Sequence, residues 1–331
     1  MKNIIKKLRS FFFFFLFLYA IYHASLAYQY YSMKEKAENF EKNRSYSSIF
    51  QYNQKGGEPL FLVNPENKRT IFFMEGFRAQ APAGFYRDWF EELYQTGTNI
   101  IVPVYGLQSS PFELRNRDWR FQEDLRLANQ VYEAYASAKS EEHEILLVAH
   151  SFGTLPALSI AVTAKRRPDG IILLSPLNTG MEFKAAGKLV YWFSKQTSWL
   201  QYLLLFTEAG KAPSRESIWD IVNPQKNRKA ASKLDANFED SSRYGYRVEK
   251  AAIWMEEELV PRVKDYRIFL AYGNSDLFFS SQGFENLGKR LEVSGNRVDI
   301  YPIQNSGHMV LMDNGEKALK EKILLFLRAK K

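Results

Sequence analysis

The 331 residues are 46% hydrophobic and 15% aromatic, with 26 Phe and 19 Tyr, which excludes a disordered chain or a purely polar binding module. A formal net charge of +8 is spread along the sequence rather than gathered in one stripe. With no RRM, zinc-finger or helix-turn-helix pattern, nucleic acid is not an expected partner, and the absence of cysteine excludes disulfides, thiolate metal sites and a cysteine nucleophile.

Lys2, Lys6, Lys7 and Arg9 precede a stretch from Ser10 to Ser32 that is free of Lys, Arg, Asp and Glu, with its apolar heart at Phe11 to Ala27. A basic flank ahead of an apolar run is an export or anchor signal, and it favours a cytoplasmic N-terminus with everything after it on the far side. Two readings stay open. One is a single-pass N-terminal membrane helix with His23, Tyr28, Tyr30 and Tyr31 at the interface. The other is a signal peptide cleaved after Ser25-Leu26-Ala27, which would release a secreted protein. Residues 1–32 are therefore an anchor or signal segment. Residues 33–58 form a charged linker, with edge strands expected near Ser47 to Tyr52 and Pro59 to Val63.

The pattern from residue 59 alternates. Thr70 to Met74, Asn99 to Val104, Ile145 to Ala149 and Gly170 to Leu174 are short apolar runs bounded by turn residues, as strands buried on both faces require. Between them, Phe85 to Tyr94 and Phe121 to Tyr135 place large apolar residues one helical turn apart. Such alternation predicts right-handed βαβ crossovers in an α/β, doubly wound, mostly parallel sheet. Tyr266 to Tyr272 and Arg297 to Ile303 add strands, and an amphipathic helix over Glu316 to Arg328 ends the chain. The rhythm stops for about ninety residues after Ser175, too long for a plain loop. Residues 177–264 are accordingly assigned to a helical cap that divides a core of 59–176 and 265–331. Its first part, Leu189 to Phe206, is rich in aromatics, and Trp192 and Trp199 are candidates for the wall of an acyl-binding pocket. The alternative is that these aromatics only glue the cap to the core or touch lipid.

Ala149-His150-Ser151-Phe152-Gly153 runs from a strand into a helix as a small-x-Ser-x-small turn. Such a turn is tight enough to strain the serine and needs small neighbours so that strand and helix can approach. A serine hydroxyl needs an imidazole base, and the imidazole needs a carboxylate. Of four histidines, His23 lies in the apolar N-terminal run, His143 in a polar turn expected to be solvated, and His150 inside the elbow. His308, in Asn305-Ser306-Gly307-His308-Met309 after the last strand, is the expected base. Asp276, just after the preceding strand, is the expected acid, with Asp299 and Asp313 as fallbacks. The backbone N–H of Phe152 should stabilise a developing oxyanion. Phe77 in Glu75-Gly76-Phe77-Arg78 should supply a second donor, and Arg78 either contacts an anionic headgroup or lies in solvent.

These features resemble the α/β-hydrolase superfamily, and within it the monoacylglycerol lipase and lysophospholipase group. The likeness runs from about Thr70 to the C-terminus and rests on the Gly76 loop, the Ala149 to Gly153 elbow, Leu174-Ser175-Pro176-Leu177, Gly273 to Asp276, and Gly307-His308. It implies hydrolysis of a glycerolipid or similar ester through an acyl-serine intermediate, with no metal and no cofactor. With the N-terminal segment and the apolar cap, the expected activity is a carboxylic-ester hydrolase acting on a lipid-like, acyl or other small-molecule ester at a membrane surface. An acyltransferase, a peptidase or a catalytically silent binding protein on the same fold are the alternatives. The chain departs from the pattern at Glu75, where His commonly stands, at Ala149, where Gly is usual, and in Val104-Tyr105-Gly106-Leu107, which lacks an Asp.

Overall fold

Apolar runs too short for helices, each followed by an amphipathic segment, become a layered sheet. A computed structural model of the chain describes residues 11–17, 19–20, 60–76, 86–103, 121–181, 241–276 and 278–329. The strands are β1 (Leu60–Leu62), β2 (Arg69–Met74), β3 (Thr98–Val102), β4 (Glu144–His150), β5 (Gly170–Leu174), β6 (Arg267–Gly273) and β7 (Arg297–Ile303). They form one seven-stranded sheet in the order β1-β3-β2-β4-β5-β6-β7. Only β1 runs antiparallel, against β3, and the other pairs are parallel.

Alternate side chains of each central strand enter two different cores, which is why these runs are apolar throughout rather than every second residue. Phe72, Leu147, Leu173 and Leu270 face one core with α2 (Phe121–Ala136), α3 (Thr154–Thr163), α4 (Ser241–Trp254) and α5 (Ser281–Val293). Phe73, Val148, Ile172 and Phe269 face the other with α1 (Arg87–Gln95) and α6 (Glu316–Arg328). The chain goes from β2 outward to β3 and then back across β2 to β4. Order reverses at β2 and β4, and a crevice opens outside the carboxyl ends of strands at such a point.

Two expectations change on contact with the structure. His143 is not solvated. It is buried, its Nε2 lies 2.7 Å from Thr70 Oγ1, and Thr70 Oγ1 lies 2.6 Å from the Tyr135 hydroxyl. The acidic neighbours in the sequence point elsewhere, while Thr70 at the amino end of β2 offers a buried partner. A helix, α5, also connects β6 to the adjacent parallel β7, in a stretch of sequence to which no helix was assigned.

Residues 11–17 are helical with exposed side chains, a stretch of about 10 Å against the roughly 30 Å of a bilayer core. Among the described residues no helix is long and apolar enough to cross a membrane. The rest of the expected N-terminal span, the linker, the Ser47 to Tyr52 strand and the aromatic part of the cap lie outside the described residues. At the far end of the cap range, Ala251, Ala252, Met255, Leu259 and Val260 are buried in the core shared with α3.

Candidate active site

β4 ends in Ala149-His150, and the chain turns at Ser151, whose φ of 52° lies in the left-handed region that favours glycine. A buried serine held there marks strain of order 1–3 kcal/mol that the surroundings must impose. They do so from both sides of the turn. The Ser151 carbonyl accepts from Leu177 N–H at 3.0 Å and from the Thr154 hydroxyl at 2.7 Å. Gly153 is pressed against the end of β2, where an added Cβ would strike the carbonyls of Met74 and Glu75. The departure at Ala149 is harmless for a simple reason. Its methyl is fully buried in the core with α2, α3, α4 and α5, and the tightest backbone approach of the turn falls on Gly153.

The last two strands deliver the other two residues. Gly273 at the end of β6 has no room for a Cβ beside the Ser306 and Gly307 carbonyls, so the turns after β6 and β7 press together. Ser275 N–H donates to Ser306 O at 2.9 Å and Asn305 N–H to Asn274 Oδ1 at 2.7 Å. Held this way, His308 Nδ1 lies 2.7 Å from Asp276 Oδ2, both side chains being buried. A carboxylate accepts, so Nδ1 carries the proton and Nε2 of the neutral ring is left as the basic atom. The other carboxylate oxygen, Asp276 Oδ1, accepts from Phe278 N–H at 2.8 Å and Phe279 N–H at 3.2 Å. Phe278 and Phe279 also enclose the His308 ring, with centroid separations of 5.0 and 5.7 Å.

His150 ties the serine turn to the histidine loop. Its Nε2–H donates to the His308 carbonyl at 3.2 Å and its ring lies 4.9 Å from that of His308. Burial, with the neighbouring His308 adding to it, lowers the His150 pKa to about 3, so this ring is neutral and serves as a donor at ordinary pH. Tyr86 packs edge-on against it and donates to Met309 Sδ at 3.6 Å. Burial, together with the Glu75 charge, raises the Tyr86 phenol, which stays protonated.

A folded-state pKa below the ordinary histidine value means that the unfolded chain binds the proton first as pH falls. Stability from His150 is therefore complete above about pH 6.5 and is lost progressively below it, by about 2 kcal/mol between pH 7 and pH 5. His143 shifts in the same direction, through burial and then the charges of Lys139, Arg166 and Lys68. Denaturant unfolding at pH 7, 6 and 5 should show this decline, and a flat profile would contradict the buried neutral state of His150.

Asp313, a fallback acid on sequence grounds, does not bond to His308. It is buried, and its Oδ2 accepts from Gly307 N–H at 2.7 Å, directly ahead of the histidine. D313A should cost about 2 kcal/mol of unfolding free energy, because it leaves that N–H unpaired, whereas D313N keeps an acceptor and should cost less. Equal losses in the two variants would count against this role. Its short distance in sequence from His308 is the signal that could have suggested such a loop brace. Asp299 stays within β7. Phe152 follows the serine as expected, while Phe77, Arg78, Trp192 and Trp199 lie outside the described residues. Among the described residues no group of His, Asp or Glu could hold a metal ion.

The sequence matches no family model and no curated protein. Solved structures, by contrast, align over most of the chain. A monoacylglycerol lipase of Paleococcus ferrophilus aligns with a TM-score of 0.58 at 16% identity, over 83% of this chain and 98% of its own. A soluble variant of the monoglyceride lipase of Saccharomyces cerevisiae gives 0.57 at 13%, over 84% and 94%. A thermostable carboxyl esterase of Bacillus coagulans gives 0.56 at 17%, over 81% and 92%. The chain therefore has the α/β-hydrolase fold, in a structural neighbourhood that includes lipases and esterases.

Proposed function

We propose that the chain is a serine hydrolase that cleaves a carboxylic ester of a small or lipid-like molecule through an acyl-serine intermediate on Ser151. The observation that carries the reading is a strained, buried serine at the end of β4 whose neighbour His150 is bonded to the loop of an imidazole already paired with a buried carboxylate. The lipase and esterase neighbours support the ester as substrate class. Fold alone does not fix chemistry, so the argument rests on the site.

In the reaction, His308 Nε2 takes the Ser151 hydroxyl proton as Oγ attacks the ester carbonyl. Asp276 holds the ring in the tautomer that leaves Nε2 free and stabilises the imidazolium that forms. Phe152 N–H stabilises the tetrahedral oxyanion, with Phe77 N–H in the second donor position. The intermediate collapses, the bond from carbonyl carbon to alcohol oxygen breaks, and the leaving alcohol receives the proton from His308. Water then gives a proton to the same nitrogen and attacks the acyl-serine, and as that second tetrahedral intermediate collapses the bond from carbonyl carbon to Oγ breaks, His308 returns the proton to Oγ, and the acid leaves. No step uses a metal or cofactor.

We place the substrate at a membrane surface, because exposed aromatic residues crowd Phe11–Phe17 beyond a basic N-terminus. Trp192, Trp199 and Arg78 are assigned to the substrate side of the site from sequence. Turnover of p-nitrophenyl esters of increasing acyl length, with and without lipid vesicles, tests both parts. Ester cleavage that rises in the presence of vesicles is expected. Transfer of the acyl group to an added alcohol or amine in preference to water would favour the acyltransferase, and cleavage of amides alone the peptidase.

A further inference from the structure

The 59 residues between Met181 and Ser241 are bracketed by two described stretches, and one buried carboxylate joins those stretches. After β5, the chain from Leu177 to Met181 crosses to the turn that follows β6. Ser280 N–H donates to Gly180 O at 2.8 Å, and Met181 pairs with Phe279 as an antiparallel bridge. Gly180 lies so close to α5 that an added Cβ would come within 2.7 Å of Gly283 Cα and of Ser280 Oγ. At the other end, α4 runs into a π-helical turn over Met255–Leu259, a rare geometry that recurs at functional positions.

Glu256 lies in that turn and is 2% exposed. Its carboxylate accepts from Thr179 N–H at 2.7 Å, from the Thr179 hydroxyl at 3.2 Å and from Arg290 Nη1 at 2.6 Å, and Arg290 also donates to its backbone carbonyl. Burying a charge only for stability is a weak solution, since apolar packing of the same volume is often as good. The connections of this one are specific. It fixes Thr179, the next residue holds Ser280, and the residue before Ser280 is Phe279, whose N–H is one of the two that orient Asp276 and whose ring abuts His308.

We propose that Glu256 is a positioning residue for the reaction: it clasps the start of the insertion to its end and thereby sets the turn that aims Asp276 at His308. This role rests on the serine-hydrolase reading above. Through the clasp, the two described ends of the insertion and the geometry of the acid and base are mechanically one unit, and small misplacements of reacting groups are costly to turnover.

The test is turnover per active site, counted by titration with a fluorophosphonate, in the full chain. E256A is expected to lower kcat roughly tenfold per titrated site with KM within about threefold, and E256Q, which keeps an oxygen for Thr179 N–H, to regain part of that loss. Gly180→Ala leaves Glu256 in place and pushes on Ser280 and Gly283, so it should give the same selective fall in kcat, and it decides the matter if E256A does not accumulate. In a D276N background, where turnover is counted per folded chain because the fluorophosphonate reacts too slowly to titrate sites, E256A should add little further loss, because the group it positions is already ineffective. Unchanged kcat per site in E256A, or in G180A where that variant decides, or a full additive loss in the D276N background, would overturn the role while leaving the hydrolase reading intact. A wild-type protein without Ser151-dependent turnover would overturn the hydrolase reading itself, and the role with it.

Discussion

Replacing Ser151 with alanine is expected to reduce ester turnover by about 10⁶-fold in kcat without loss of fold. Each group of the site acts only through this oxygen, so no other residue can replace it. The fold does not depend on the hydroxyl, because the turn is held by the Ser151 carbonyl and by the close approach of Gly153 to β2. Ser151→Gly sharpens the point. The φ of 52° is unfavourable for serine and comfortable for glycine, so this variant should be more stable than the wild type by about 1 kcal/mol and equally inactive. Ester turnover read alongside denaturant unfolding checks both halves. A residue selected for stability would not behave this way, and one selected for chemistry would.

Asp276→Asn should cost about 10⁴-fold in kcat with little change in stability, and the bonding around the carboxylate says why. Oδ1 accepts two backbone N–H groups, from Phe278 and Phe279. In the variant the amide oxygen must keep that position, because an NH₂ there would face two donors. The amide nitrogen then faces His308 Nδ1 and donates to it, which forces the proton onto Nε2 and removes the base. The same substitution at Asp313 leaves the ring alone, since its Oδ2 accepts from Gly307 N–H and its Oδ1 from Asn314 N–H, neither from His308. Steady-state kinetics on D276N and D313N side by side would separate an acid that sets a tautomer from one that braces a loop. Similar losses in the two would contradict that division.

What the sequence made legible, and what it hid, follows from how local each signal is. β5 falls where its apolar run placed it, and β2, β4 and β6 differ only at their ends, because strands buried on both faces leave an unbroken hydrophobic record. β7, at the sheet edge, also lies where it was expected, although it is only partly buried. The positions of Ser151, Asp276 and His308 just after strands were legible as well, and the structure brings Asp276 and His308 together. Helix α5 was not predicted, and it carries two residues of poor helix propensity, Gly283 and Gly288. In the structure they are contact points, Gly283 against Gly180 and Gly288 beneath Ile300, so packing between elements outweighs their poor helix propensity. His143 misled in the opposite sense, since its charged neighbours in sequence say nothing of Thr70 more than seventy residues away. Glu256 was hidden for the same reason, since its partners Thr179 and Arg290 belong to distant segments of the chain.

The most direct test of the account is the mass of the intact protein after brief treatment with an activated ester or a fluorophosphonate, followed by peptide mapping. One adduct per chain, located on Ser151, absent in S151A and slowed by several orders of magnitude in H308A and D276N, is the predicted result. An adduct on another residue, or labelling that persists undiminished in S151A, would contradict it.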